Sequence, residues 1–214
     1  MKKKGGKVLS GGLRLMWIGE CVVFVWTITY TLTNILGYLA LDMTRAGRLI
    51  LLVGTLVGLV STLAGLVGMA VGIVGLWKLR GEHTDYRNAL ILLVALIVCG
   101  IFLAMDLESL ALILLLILGL LIPFLALLEV WMVVRATNTF LKGGKRDTLR
   151  EEGKRALWAR AVTTGVSLVS SILTGLLLEG TPRLVTHLVV SAAAMAVSET
   201  LYLIYLKHSS EALA

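Results

Sequence analysis

The chain has 214 residues, of which 58% are hydrophobic and 15% are charged, and its formal net charge is +7. A soluble domain is about 45–50% apolar and about 25% charged, so this composition excludes an ordinary water-soluble fold and predicts an integral membrane protein. Nucleic-acid binding needs basic residues on a folded platform, and no such platform is visible, so no nucleic-acid partner is predicted.

Six apolar runs qualify as membrane crossings, because a bilayer core of about 30 Å needs about 20 helical residues. They cover residues 15–41, 49–79, 89–105, 110–134, 157–178 and 184–206. Backbone polar groups in lipid must be satisfied within the segment, so every run is predicted to be helical. The fold class predicted is all-α: one membrane domain, 1–214, that is a polytopic bundle of six transmembrane helices.

The first run follows a basic start, Lys2-Lys3-Lys4. A basic start before an apolar stretch is also typical of a secretory signal peptide. The stretch that begins at Leu15 is about 27 residues long, however, and signal-peptide cores are about 7–15 residues. We therefore expect this run to be retained as a membrane anchor.

The second run carries small residues at alternating steps of four and three. They are Gly54, Gly58, Ser61, Gly65, Gly68, Gly72 and Gly75. A period of 3.5 places them on one stripe of the helix, which we call the Gly stripe. Small residues allow a neighbouring helix to approach closely in lipid. The Gly stripe predicts a helix-packing face that is filled by another helix of the chain, with a second copy or a membrane partner as the first alternative and an open pore or lipid groove as another.

The end of the second run provides a family resemblance. It reads Gly72-Ile73-Val74-Gly75-Leu76-Trp77-Lys78-Leu79-Arg80-Gly81-Glu82 and is followed by Tyr86 and a further span. This stretch, about a fifth of the chain, resembles the segment between helices in uncharacterised archaeal multi-pass membrane protein families of unknown function. The resemblance implies a multi-pass membrane protein, and it implies no activity because those families have none assigned.

Two connections have distinct signatures. Residues 106–109 are the only separation between the third and fourth runs, which predicts a tight hairpin. Residues 141–156 form the one sizeable loop, where Gly143-Gly144 is expected to break the fourth helix. Thr148 and Glu151 then read as a capping box that starts the fifth helix, and Glu151 and Arg155 as an ion pair one turn apart.

The direction of the threading follows from the basic residues. Seventeen of the 20 Lys and Arg residues fall on one side when the six runs are threaded as spans. Short cytoplasmic loops carry the excess of Lys and Arg, so both termini and the 141–156 loop are predicted to be cytoplasmic in a plasma-membrane protein. This side would contact anionic lipid. Trp or Tyr residues near the same end of all six runs support the threading, since these side chains prefer the interface.

Three acidic residues lie inside the runs: Glu20, Glu129 and Glu199. Each is about five to eight residues from the predicted cytoplasmic end, so three helices offer a carboxylate at similar depth. Intramembrane acids usually face the bundle interior or a partner, which makes these residues a candidate ion or proton site. In the alternative interpretation, each one snorkels or pairs locally with Arg14, Arg135 or Lys207.

Two function classes follow. The first is a structural or accessory membrane protein that acts through helix packing on the Gly stripe. The alternative is a small proton- or cation-linked transporter or channel-like protein that uses the three glutamates. The halves of the chain show no convincing inverted repeat, which weakens the transporter interpretation. No catalytic, phosphate-binding or metal-binding motif is present in the sequence, and Cys21 and Cys99 lie in separate runs, so no cofactor and no metal are predicted.

Overall fold

A computed structural model describes residues 2–40, 45–104, 112–141, 146–177 and 180–214. These residues form six α-helices. They are α1 (Lys2–Ala40), α2 (Arg45–Leu79), α3 (Thr84–Ala104), α4 (Leu112–Phe140), α5 (Asp147–Leu177) and α6 (Gly180–Ala212). The predicted all-α class is therefore confirmed within these ranges.

Four of the helices are long and apolar enough to cross a membrane. The qualifying segments are Gly6–Tyr38 in α1, Leu51–Leu79 in α2, Leu121–Phe140 in α4 and Val185–Ala212 in α6. Over their described residues, α3 and α5 do not reach the same standard. The helix α3 is the shortest of the six, at 21 residues, and α5 begins with a charged segment and continues with several hydroxyl side chains. Length and composition thus support four crossings.

The helices extend beyond the apolar runs. The helix α1 begins at Lys2 although its run begins at Leu15, and α5 begins at Asp147, one residue before the predicted cap at Thr148. Pro123 lies inside α4 without ending it. The predicted hairpin at 106–109 and the Gly143-Gly144 break lie outside the described residues. In the first turns of α5, Glu151 pairs with Lys154, their Oε1 and Nζ atoms 2.6 Å apart, whereas the sequence predicted Arg155 as its partner.

The helices are arranged in chain order around a ring. Each packs against its neighbours in the sequence, and α6 also packs against α1. The most extensive interface joins α1 and α2. Because α6 has α1 on one side and α5 on the other, polar residues on these three helices can face one another.

The apolar core lies at one end of the ring, where α1, α3 and α5 begin and α2, α4 and α6 end. We call this end the basic end, because Lys7, Lys78 and Arg135 lie there. Every helix contributes buried side chains to it, including Leu13, Met16, Leu76, Leu79, Tyr86, Val133, Ala156, Tyr205 and Leu206. This core explains why α1 and α5 continue past their apolar runs, since the additional turns bury Leu9 and Ala156.

Buried tyrosine hydroxyls join the helices at the basic end. The Tyr86 hydroxyl is 2.8 Å from the Thr137 hydroxyl and connects α3 to α4. The Tyr205 hydroxyl donates to Asn138 Oδ1 at 3.1 Å and connects α6 to α4. These bonds satisfy polar groups that would otherwise be costly to bury.

Toward the opposite end, the described side chains are largely exposed. On α2, Leu52 is 61% exposed and Val60 is 65% exposed, and their apolar neighbours on several faces are similar. A continuous apolar surface of this kind is unfavourable in water and is expected where a helix faces lipid or a partner. The exposure therefore agrees with the membrane-crossing length of α2.

Candidate functional site

The Gly stripe of α2 faces α1, and the two backbones touch. A Cβ atom added at Gly68 would lie 2.9 Å from the carbonyl oxygen of Gly19, and one added at Gly19 would lie 2.6 Å from the carbonyl oxygen of Gly68. In folded proteins, Cβ atoms essentially never lie within 3.0 Å of such non-bonded heavy atoms. Both positions therefore require glycine for the helices to keep this separation.

The contact continues along α1 at seven-residue steps. A Cβ at Gly75 would lie 2.9 Å from the Gly12 carbonyl oxygen, Gly65 lies against the Trp26 ring, and the Thr33 methyl group approaches Gly54 and Gly58. The α1 positions are thus Gly12, Gly19, Trp26 and Thr33, a heptad spacing that would have identified α1 as the partner of the stripe. Gly72 is different, because a Cβ there would meet nothing within 4 Å.

The other members of the stripe are consistent with a face covered from within the chain. Ser61 is buried, and its hydroxyl donates to the Gly58 carbonyl at 2.9 Å. Gly65, Gly68, Gly72 and Gly75 are buried as well. A second copy or a membrane partner would have to displace α1 to use this part of the face.

The glutamates lie around one arginine. Arg160 of α5 donates to the Glu199 carboxylate of α6, and the two side chains are only 21% and 11% exposed. Glu20 of α1 and Glu129 of α4 both lie within electrostatic range of Arg160, and they are within range of each other. Four helices thus direct charged groups to one region, which we call the carboxylate cluster: Glu20, Glu129, Arg160, Glu199 and Tyr202.

Two buried polar atoms of the cluster have no hydrogen-bond partner among the described residues. They are Glu129 Oε1 and the Tyr202 hydroxyl. Glu129 is 6% exposed and Tyr202 is 3% exposed. Tyr202 lies within electrostatic range of Glu129, Glu20 and Arg160, so its hydroxyl belongs to the same region. Buried polar groups are nearly always satisfied, by protein or by water, so these atoms mark a place where a proton, water or ligand can be held.

Sequence reasoning found the three glutamates but missed Arg160 and Tyr202. Arg160 lies inside the apolar run 157–178, four residues after the end of the basic loop 141–156. Tyr202 follows Glu199 by three residues and therefore shares its helix face. The position of Arg160 within an apolar run and the three-residue spacing between Glu199 and Tyr202 were therefore the two sequence features that could have identified these residues.

Two of the cations considered as local partners of the glutamates, Arg135 and Lys207, contact other groups. Arg135 contacts Asp85, with 3.4 Å between Nε and Oδ2, and Lys207 lies 6.0 Å from the centroid of the Trp17 ring. Over the described residues, no three His, Cys, Asp or Glu side chains are grouped so that they could hold a metal ion. Within the cluster, Glu199 is paired with the Arg160 guanidinium.

A line of polar groups extends from the cluster along α6. Ser191 and His187 precede Tyr202 by 11 and 15 residues, which places them on the same side of the helix. Among the described side chains, Ser191 Oγ and His187 Nδ1 are buried without a hydrogen-bond partner. On the adjoining α5, the Thr163 hydroxyl donates to the Ala194 carbonyl of α6 at 3.1 Å. Polar groups thus continue from the cluster toward the end opposite the basic end.

Comparison with protein-family models, with curated proteins and with solved structures finds no match for this chain. The resemblance of residues 72–86 to archaeal multi-pass families stays a prediction.

Proposed function

We propose that this protein is a six-span plasma-membrane protein, with both termini in the cytoplasm, in which the carboxylate cluster takes up and releases protons during proton- or cation-linked transport. The proposal rests on the Arg160–Glu199 ion pair and on Glu20 and Glu129, which lie within electrostatic range of the same arginine. In this threading α3 and α5 also cross the membrane, in addition to the four helices that qualify by length and composition. The lower hydropathy of α5 is then a consequence of its polar groups facing α6.

Charge balance supports proton uptake. Three ionised carboxylates and one guanidinium carry an excess of negative charge. On insertion scales a charge costs about 2.5–3.5 kcal/mol at the centre of a membrane helix, and it costs less toward the helix ends, where these glutamates lie. Neutrality requires protons or cations to accompany the second and third carboxylates. Like charges in one site cannot all remain ionised without such partners, so the cluster is suited to exchanging protons.

The unpartnered groups support a hydrated route to the cluster. Buried water typically makes about three hydrogen bonds to polar groups that lack other partners. Glu129 and Tyr202 offer such groups in the cluster, and Ser191 and His187 offer them farther along α6. A chain of water molecules along this face would connect the cluster to the non-cytoplasmic side.

The alternative is a structural or accessory protein that acts through helix packing. The fit between the Gly stripe and α1 favours a role for the stripe inside the chain. Packing with a partner would then use the exposed apolar surface of α2 near Leu52 and Val60. This function needs no proton exchange at the cluster.

Proton flux into vesicles tests the proposal. Purified protein is reconstituted with a pH-sensitive dye inside, and an outward potassium gradient with valinomycin drives proton entry. We expect entry above that of empty vesicles, and we expect Glu129→Gln to abolish it while the unfolding midpoint in detergent is unchanged. Glu152→Gln is the matched control, because Glu152 bonds His208 outside the apolar runs, 3.0 Å from Oε2 to Nδ1.

Two results would contradict the transport proposal. One is wild-type flux equal to that of empty vesicles at several external pH values and with Na⁺ or K⁺ as the accompanying cation. The other is a Glu129→Gln protein that conducts as the wild type does. Either result would leave the packing role as the better account of the molecule.

A further inference from the structure

A groove on the outside of the bundle lies between α4 and α5. Its volume is about 270 Å³, and its walls are Leu127, Leu128, Trp131, Leu157, Trp158 and Ala161. The lining is apolar apart from the two indole rings. Trp158 is 72% exposed, more than any other large hydrophobic residue recorded as exposed in the described ranges. Tryptophan prefers the boundary between hydrocarbon and headgroups, so this groove is placed where lipid chains begin.

On each of the two helices, a basic residue lies one turn beyond the groove. Arg135 lies one turn from Trp131 on α4, and its guanidinium is 5.2 Å from the Trp131 ring centroid. Lys154 lies one turn from Trp158 on α5 and is 62% exposed. Residues four apart share a helix face, so both cations continue the two walls toward the basic end. The groove is therefore apolar along its length, and one basic side chain from each helix lies at one mouth.

Each cation has an acidic neighbour but has more hydrogen-bond donors than this neighbour uses. Lys154 bonds Glu151, and this ammonium holds the pKa of the exposed Glu151 carboxyl below its usual range. Arg135 contacts Asp85 through Nε, 3.4 Å from Oδ2. An ammonium has three donors and a guanidinium has five, so each side chain can also bond a phosphate oxygen.

We propose that the α4–α5 groove binds one anionic phospholipid, with an acyl chain between Trp131 and Trp158 and the phosphate between Arg135 and Lys154. The unused donors of these two cations and the net charge of +7 on the chain favour this occupant over a zwitterionic lipid. The inference is independent of proton transport, because the groove lies on the outer surface and the carboxylate cluster inside the ring. A bound lipid would join α4 to α5.

Lipid binding to the purified full-length protein tests the site. Native mass spectrometry in detergent measures the affinity for phosphatidylglycerol and for phosphatidylcholine with identical chains. Lys154→Glu should weaken phosphatidylglycerol binding roughly 25-fold, because each basic charge near an anionic lipid is worth about a fivefold change and this substitution changes two charges. Phosphatidylcholine binding should change much less.

The control variants lie beside a second exposed tryptophan. Trp77 on α2 is 55% exposed, and the Arg80 guanidinium lies 3.3 Å from its ring centroid at the same basic end. Lys78→Glu and Trp77→Ala repeat the charge and ring changes away from the groove, and both should leave binding within about twofold. Trp158→Ala should weaken the binding of both lipids.

Filling the groove provides a test that keeps every charge. Ala161→Phe places a ring in the acyl-chain path and should reduce phosphatidylglycerol occupancy, whereas Val60→Phe, at a 65% exposed position on α2, should not. The proposal is overturned if Lys154→Glu and Lys78→Glu weaken binding equally, if the two lipids bind alike, or if Ala161→Phe binds as the wild type does. Unfolding midpoints without lipid identify any variant that fails to fold. If one test variant does not fold, the other test variant and its control decide whether the groove binds the lipid.

Discussion

Gly19 of α1 and Gly68 of α2 touch backbone to backbone, because a Cβ atom at either position would lie less than 3 Å from the other's carbonyl oxygen. The contact joins two heptad patterns that run in opposite directions. In lipid, helices gain little from burying apolar side chains against each other, so close backbone packing supplies much of the attraction. This pair therefore defines where α1 and α2 lie relative to each other.

The effect of a Gly→Ala substitution on stability should depend on its position in the Gly stripe. Gly68→Ala should destabilise the protein by about 1–3 kcal/mol, since overpacking forces the backbones apart. Gly72→Ala, in the same stripe, should be neutral or stabilising, because its Cβ meets nothing within 4 Å and Ala favours a helix over Gly by up to about 1 kcal/mol. Thermal or denaturant unfolding in detergent measures both.

Gly→Leu substitutions should show the same dependence on position, with larger losses of stability. Gly65→Leu and Gly68→Leu should disrupt folding, the first through Trp26 and the second through the Gly19 backbone. Gly165→Leu on α5 is a suitable control because its surroundings are open. Equal tolerance at all three positions would mean that the α1–α2 contact does not hold the fold.

Removing either partner of the Arg160–Glu199 pair should lower the free energy of unfolding strongly. Arg160→Gln leaves a buried carboxylate without its cation, and breaking a buried pair costs about 3–5 kcal/mol. The lower part of that range is expected, because the Arg160 side chain is 21% exposed. The double variant Arg160→Gln/Glu199→Gln should lose less than the two single changes added together.

A double-mutant cycle on unfolding measures this coupling. Lys154→Gln removes one partner of the exposed Lys154–Glu151 pair and should change stability little. Additive losses in the Arg160–Glu199 cycle would show that the two side chains do not interact in the folded protein.

Periodicity and hydropathy are local properties of a chain, so the sequence predicted the all-α class that the structure confirms over the described residues, and the same local patterns singled out the Gly stripe and the three glutamates. It did not predict Arg160 as the centre of the cluster. Loop cations are counted along the sequence, whereas the neighbours of Arg160 come from α1, α4 and α6. The extent of α1 was also missed, since its first turns are polar in sequence and are held by core residues such as Leu9 and Leu13.

The proposed topology can be tested by thiol labelling in intact cells. Cys21 and Cys99 are first replaced by alanine, and a single cysteine is introduced at Thr181, in the first turn of α6, or at Thr148, in the first turn of α5. An impermeant thiol reagent should label position 181 and should label position 148 only after the cells are opened. Labelling of position 148 in intact cells would show that the proposed orientation is wrong and that this position lies outside the cell.

The polar face of α6 gives the last prediction. If protons reach the cluster along this face, Ser191→Leu should block their path, because a branched apolar side chain would replace a buried hydroxyl that has no partner among the described residues. Ala193→Leu adds a larger side chain at an exposed position two residues away on the same helix, so it should conduct as the wild type does. The measurement is the vesicle proton flux, with the unfolding midpoint of each variant recorded in parallel. Wild-type flux through a folded Ser191→Leu protein would exclude this face as the route, even if Glu129→Gln abolishes the flux.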